Sequence, residues 1–317
     1  MKKGKKITIL GAGNVGATIA YTMTMDARAS EIVLIDINKD KAKGEAMDIY
    51  QGTSFARSVN ISAGDYEDAR DSDIVIVTVG AARKPGQSRI DLAQGNVNII
   101  RSVMSQVAAV APKAVYVVVS NPVDILTYAT IKFTGLPESQ VIGSGTTLDS
   151  SRLRARIADH VGLPPQNVHA NVFGEHGDSA MIPWSLTTIA GMPMETYCAS
   201  ICEKHNNCGK IELSEIEDDV RNSGANVIKL KGATYYAIGM TVRHICESIL
   251  RDSGALMTVS GMVRGQYGID DVCLSLPFAI GSNGIRSCLE PPLTDDEREK
   301  LLHSAKVLKD TISSLDI

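Results

Sequence analysis

The stretch ITILGAGNVG, Ile7–Gly16, decides how the first half of the chain is read. A short apolar run rich in β-branched residues meets GAGNVG, and a helix-like segment follows from Val15 to Asp26. A strand feeding a glycine turn and then a helix is the geometry that binds a pyrophosphate. Gly11 permits the tight turn, Gly13 lets a phosphate approach the backbone, and Gly16 lets the helix pack on the strand. Free N–H groups at the helix start then face the anion. A second apolar run, EIVLID, ends in Asp36, twenty residues after Gly16. A carboxylate there accepts hydrogen bonds from ribose hydroxyls and repels a 2′-phosphate, which selects NAD over NADP. The other reading of Asp36 is an N-cap for the helix that follows.

Outward from this unit, Ile32–Ile35, Ile74–Val79, Val115–Val119 and Val141–Gly143 are further short apolar runs. They read as strands buried on both faces, as in a parallel sheet. Helix-like segments Lys39–Tyr50 and Leu92–Val110 alternate with them. The pattern predicts an α/β fold, a Rossmann doubly wound parallel sheet over residues 1–145. From 146 to 317 helix-like segments (Asp149–Val161, Ser214–Lys229, Ala233–Leu250, Asp295–Ile312) mix with strand-like Ala255–Met262 and Val272–Ile280. That half is expected to be a mixed α+β substrate domain, with a cleft at the carboxyl ends of the strands. Gly80 and Ala81 should lie near the pyrophosphate, and Asn121 in SNPVD near the nicotinamide or substrate.

The 317 residues are 44% hydrophobic and 21% charged, with a net charge of -4 and 4% aromatics. That balance argues against nucleic acid and anionic membranes as partners. The four lysines of MKKGKKITIL precede no apolar leader segment, and no run is long enough to span a membrane, so a cytoplasmic enzyme is expected. Six cysteines in a chain of this length do not make a disulfide framework. Cys198, Cys202, His205 and Cys208 carry zinc-type ligand atoms, but their spacing is not that of a common closed site. They read as a helix end with small, half-buried thiols, and no metal is expected.

GEHGDS, residues 174–179, sets one histidine in a glycine-flanked polar turn, an unusual setting for a core histidine. Asp149 lies 27 residues before His176, and Arg152 follows Asp149 by one helical turn. Asp149 would orient His176 and stabilise its protonated form, and Arg152 would clamp a carboxylate. The alternative is a pair of surface ion pairs and an exposed histidine.

GAGNVG, IVLIDIN, KPGQSRIDL, SNPVDILTY, GSGTTLDSSRLR, GEHGDS and KGATYYAI together resemble the L-lactate/malate dehydrogenase family from end to end. The resemblance implies NAD and reversible hydride transfer between a 2-hydroxy acid and a 2-oxo acid. It implies that Gly11, Gly13, Asn14, Val15, Gly16, Asp36, Gly80, Asn121 and Ile238 bind the cofactor. His176 resembles the acid/base, Asp149 its partner, and Arg89 the arginine of a mobile loop (about 80–92) that polarises the carbonyl. Arg152 resembles the clamp on the C1 carboxylate, and Asn121 and Thr234 resemble further substrate contacts. Arg154 and His169 match a pair that binds fructose bisphosphate between subunits in lactate-type relatives, and a homotetramer is the family expectation.

Arg83 then carries the choice of substrate. It stands just before KPG, where the lactate branch usually has glutamine and the malate type has arginine. A second carboxylate buried under a closed loop needs a cation. On that ground malate/oxaloacetate is expected, with lactate/pyruvate as the alternative and a non-catalytic NAD-binding protein as a remote one.

Overall fold

The computed structural model describes residues 4–26, 29–56, 58–81, 89–206 and 212–317. The first half runs β1 (Lys6–Leu10), α1 (Asn14–Asp26), β2 (Glu31–Ile35), α2 (Lys39–Gly52), β3 (Asn60–Ala63), β4 (Ile74–Val77), α3 (Arg89–Val110), β5 (Val115–Val118), α4 (Val123–Thr134) and β6 (Val141–Gly143). The second half runs α5 (Thr147–Val161), β7 (Val168–His169), β8 (Thr188–Ile189), β9 (Met192–Pro193), α6 (Met194–Tyr197), α7 (Leu213–Lys231) and α8 (Tyr236–Arg251). It closes with β10 (Ala255–Arg264), β11 (Asp270–Gly281), β12 (Gly284–Cys288) and α9 (Asp295–Ser313).

Among the described residues one nine-stranded sheet has the order β12-β11-β10-β6-β5-β4-β1-β2-β3. Strands β1 to β6 are parallel, and β1 lies between β2 and β4, with Ile7 paired to both Ile32 and Ile74. The chain order reverses there, which opens a crevice at the carboxyl ends of the strands. This is the predicted Rossmann-type sheet, followed by an α/β second half. β4 (IVIV) and β5 (VYVV) are buried at every position. Burying each Val or Ile side chain contributes about 2 kcal/mol, so an unbroken apolar run is stable only when helices cover both faces.

The second half joins the same sheet. β10 pairs antiparallel with β6 at Ser260 and Gly143, and β11 and β12 extend the edge. The core therefore passes without interruption from one half to the other. β3, β12 and the small β7-β8-β9 sheet were not expected from sequence. β3 is a four-residue edge strand in which only Ile61 is fully buried, too weak a pattern to read. α3 begins at Arg89 rather than Leu92, and α8 at Tyr236 rather than Ala233.

Helix α4 is buried along its whole run from Val123 to Ile131, and that run includes Asp124. A carboxylate in the first turn of a fully buried helix is costly unless something uses it. No described helix is long and apolar enough to cross a membrane. The cysteine cluster departs from the expectation of thiols throughout. Cys202 is 3% exposed and disulfide-bonded. Cys198 remains a free thiol. Cys208 and the His205 side chain also lie outside the described residues.

The glycine turn generates a test. A Cβ on Gly16 would sit 1.9 Å from the Gly11 carbonyl oxygen, whereas one on Gly13 meets nothing within 4 Å. Gly16→Ala should lower unfolding free energy by about 1–3 kcal/mol. Gly13→Ala should leave denaturant midpoints nearly unchanged and weaken NADH binding, because its open side is where a phosphate approaches. Equal destabilisation by the two would contradict this reading.

Candidate active site

The cofactor end is preorganised by main-chain hydrogen bonds. Asp36 Oδ2 accepts from the Ala12 N–H (2.7 Å) and Oδ1 from the Asn38 N–H (2.8 Å), tying the end of β2 to the glycine turn. Asn38, not Asp36, caps α2, its side chain accepting from Lys41 N–H. Asp36 is thus a half-buried carboxylate with lone pairs to spare for ribose hydroxyls. Gly11 has φ +100, a conformation that favours glycine, and the Thr78 hydroxyl donates to the Leu10 carbonyl (2.8 Å) beneath it. The residues fit a dinucleotide: a turn that Cβ atoms would block at Gly11 and Gly16, an open approach at Gly13, and an acidic residue at the ribose end.

The chemical end is held by the sheet. The amide and carbonyl of Ser275 on β11 pair with those of Gly174 (both 2.9 Å), which pins the turn carrying His176. The start of α5 is fastened to the neighbouring strand: Thr147 Oγ1 donates to the Thr258 carbonyl (3.0 Å) and Ser150 Oγ lies 2.9 Å from Thr258 Oγ1. Ser150 Oγ also accepts from the Val172 N–H at 2.9 Å. Two segments separated in sequence are thereby set side by side. His176 Nδ1 lies 2.5 Å from Asp149 Oδ2, and Arg152 Nη1 donates to Asp149 Oδ1 at 2.9 Å. The surface ion-pair alternative does not hold, since the Asp149 side chain is 11% exposed and that of Arg152 16%.

Burial alone would lower the pKa of His176, but the charge and hydrogen bond of Asp149, helped by the charge of Asp124, outweigh it. The imidazole is held above its usual value, against an opposing contribution from Arg152. Burial works on Asp149 in the raising direction, and His176 and Arg152 overcome it, so its carboxyl stays below the usual range. With Nδ1 committed to the carboxylate, Nε2 is the nitrogen left to exchange a proton with a ligand.

His176, Asp149 and Arg152 line a crevice of about 1270 Å³ that reaches Val15 and Gly80 towards the cofactor end, while Gly11, Gly13, Gly16 and Asp36 do not line it. That exceeds the roughly 300–1,000 Å³ of a typical small-molecule pocket, giving room for a dinucleotide and a small acid together. Val15, Gly80, Ala81, Asn121, Asp149, Arg152, His176, Thr234 and Ile238 line it. Asn14 sits exposed at the start of α1. Arg83 and the Arg89 side chain lie outside the described residues, as does most of the expected loop. Arg154 is turned to its own chain, donating to the Ala170 carbonyl and to Asn171 Oδ1 (both 2.9 Å), while His169 is exposed on β7. No group of three metal-ligand side chains occurs among the described residues.

Sequence reasoning passed over Asn96. It is 2% exposed on α3, its Oδ1 accepts from the Ala81 N–H (2.8 Å), and its Nδ2 donates to the Asn121 carbonyl (2.7 Å). The signal available was an amide at a helix position that faces the sheet. Asp124 was also passed over, although it stands three residues beyond Asn121 in the quoted SNPVD.

A glycine turn that Cβ atoms would block at Gly11 and Gly16, and a histidine paired with a buried carboxylate, fit the nicotinamide-dependent dehydrogenases. Residues 5–143 match the lactate/malate dehydrogenase NAD binding domain, and residues 146–316 match the alpha/beta C-terminal domain of the same family. The chain belongs to the lactate/malate dehydrogenase family, and its cofactor is NAD.

L-lactate dehydrogenase 1 of Clostridium acetobutylicum is 48% identical over 99% of this chain and 100% of its own length. The L-lactate dehydrogenase of Thermoanaerobacterium saccharolyticum is 47% identical over 98% of this chain and 99% of its own. A ligand-bound minor L-lactate dehydrogenase from Enterococcus mundtii superposes with a TM-score of 0.94 at 38% identity, covering 99% of both chains. These findings overturn the expectation of malate. It rested on one cation, Arg83, whose position lies outside the described residues. Gly224, Ala225, Ile228 and Ile238 line the crevice beside Arg152, as do Arg221 and Lys300.

The coupling between His176 and Asp149 is directly measurable. The imidazole of His176, followed by NMR, should titrate above the usual value of about 6.5 in the wild type. In Asp149→Asn it should titrate at lower pH, since loss of the carboxylate charge leaves burial to dominate. A titration unchanged by the substitution would refute the pairing.

Proposed function

We propose that the protein is an L-lactate dehydrogenase, interconverting lactate and pyruvate with NAD. The observation that carries this is similarity to L-lactate dehydrogenases over essentially the whole chain, at 46–48% identity. When bound, NADH would supply the hydride that reduces the carbonyl carbon. Arg152 holds the C1 carboxylate of pyruvate and so orients the reacting carbonyl. His176, protonated and steadied by Asp149, donates a hydrogen bond from Nε2 to the carbonyl oxygen and passes its proton there as negative charge develops. In the reverse direction the neutral imidazole takes the hydroxyl proton. Arg89 adds a second positive group at the oxygen. Asn121, Thr234 and Ile238 bound the pocket, and Gly11, Gly13, Asn14, Val15, Gly16, Asp36 and Gly80 hold the dinucleotide.

The proposal includes a homotetramer in the cytoplasm. Exposed apolar side chains on α1 (Tyr21, Met25), α2 (Met47, Tyr50) and α8 (Tyr236, Met240) support association. It also includes fructose bisphosphate as an effector at Arg154 and His169 of adjoining subunits. Light scattering tests the first, and the response of pyruvate reduction to fructose bisphosphate tests the second.

Substrate choice is tested with NADH and a pair of 2-oxo acids. kcat/KM for pyruvate should exceed that for oxaloacetate by about tenfold or more, the discrimination expected of a site that takes a methyl group in that position. A preference for oxaloacetate would sink the proposal. Pyruvate reduction should also fall as pH rises through the elevated pKa of His176, since that direction needs the imidazolium.

A further inference from the structure

Helix α7 carries a glycine that its backbone does not require. Gly224 stands in the interior of Leu213–Lys231. Glycine there destabilises a helix relative to alanine, because it loses more conformational freedom on folding. Where packing demands glycine, a neighbour excludes the side chain: a Cβ on Gly239 of α8 would come within 2.7 Å of Thr18 Cγ2. A Cβ on Gly224 would meet Arg152 at 3.6 Å from Nη2 and 3.8 Å from Nη1, which is ordinary contact. Alanine would therefore fit the fold and strengthen the helix. What it would take away is space in the crevice that Gly224 lines. That space lies against the guanidinium end left over when Nη1 donates to Asp149.

The face of α7 turned to the crevice continues from Gly224 to Ala225 and Ile228, and Ile238 of α8 lines it as well. Ile228 is 49% exposed, an apolar side chain that a ligand can cover. The two cations that share this part of the crevice are engaged on their own helices, Arg221 by Asp218 (2.9 Å) and Lys300 by Asp296 (2.7 Å). Resting on the reading of Arg152 as the clamp on C1, we propose that Gly224 is a specificity-determining residue: it opens the site to 2-oxo acids whose unbranched alkyl chain is longer than the methyl group of pyruvate. With C1 on Arg152, a Cβ at position 224 would stand beside the bound acid. Without it, the chain can lie along Ala225 and Ile228, and each methylene taken out of water there favours binding. The chemistry is that of pyruvate. The carbonyl carbon receives the hydride from NADH, which becomes NAD+, and the carbonyl oxygen receives the proton of His176, giving the 2-hydroxy acid of the same chain length.

Reduction of pyruvate, 2-oxobutanoate, 2-oxopentanoate and oxaloacetate by NADH tests this. In the wild type, kcat/KM for 2-oxopentanoate should lie within about tenfold of that for pyruvate. Gly224→Ala should lower the 2-oxopentanoate-to-pyruvate ratio by about tenfold or more, with the 2-oxobutanoate ratio falling less. Gly44→Ala, at a glycine of α2 whose added Cβ would meet nothing within 4 Å, gives the same gain in helix propensity away from the crevice and should leave both ratios where they are. A wild type that reduces pyruvate but falls outside that range with 2-oxopentanoate overturns the proposal. So does a ratio that Gly224→Ala leaves unmoved, or that Gly44→Ala lowers equally. Each of these results leaves the lactate reading standing. A preference for oxaloacetate overturns both, since a carboxylate then occupies the place given to the alkyl chain.

Discussion

The carboxylate of Asp149 is the contact on which the catalytic end depends. One oxygen takes His176 and the other takes Arg152, so a single side chain joins the imidazole to the guanidinium. Held together in a low-dielectric site, the three groups offset one another's cost of burial. Removing any one leaves a buried charge without its partner, a loss of about 3–5 kcal/mol. The geometry also sets the direction of the imidazole. Nδ1 faces the carboxylate, and Nε2 is the nitrogen available to a substrate.

That contact exists because the two halves share a sheet. β10 pairs with β6, and Ser275 on β11 anchors the turn before His176 while Thr258 on β10 anchors the start of α5. Hydrophobic burial on both faces of β4 and β5 makes the frame rigid, and the strand reversal at β1 and β4 leaves the crevice open. Cofactor and substrate ends are therefore positioned by the same structural element.

Much of this was legible in the sequence. Unbroken β-branched runs gave the parallel strands, and GAGNVG gave the glycine turn of the NAD binding domain, since both depend on local pattern. The pairing of Asp149 with His176 was a hypothesis only, because it requires a sheet contact between residues far apart in the chain. Asn96 and Asp124 were missed for a related reason: each is a polar residue in an otherwise ordinary helix, and only its neighbours reveal its use. The choice of malate failed because one arginine was weighed apart from the rest of the pocket. Cys202 was read by spacing alone, which does not determine oxidation state.

The central claim is that Asp149, His176 and Arg152 act as one unit on a 2-oxo acid. A crystal structure with NADH and oxamate, an isostere of pyruvate, tests it most directly. The account predicts the oxamate carboxylate on the Arg152 guanidinium, its carbonyl oxygen within hydrogen-bonding distance of His176 Nε2, and Nδ1 still on Asp149. An oxamate carboxylate bound away from Arg152, or a His176 ring turned from Asp149, would contradict it.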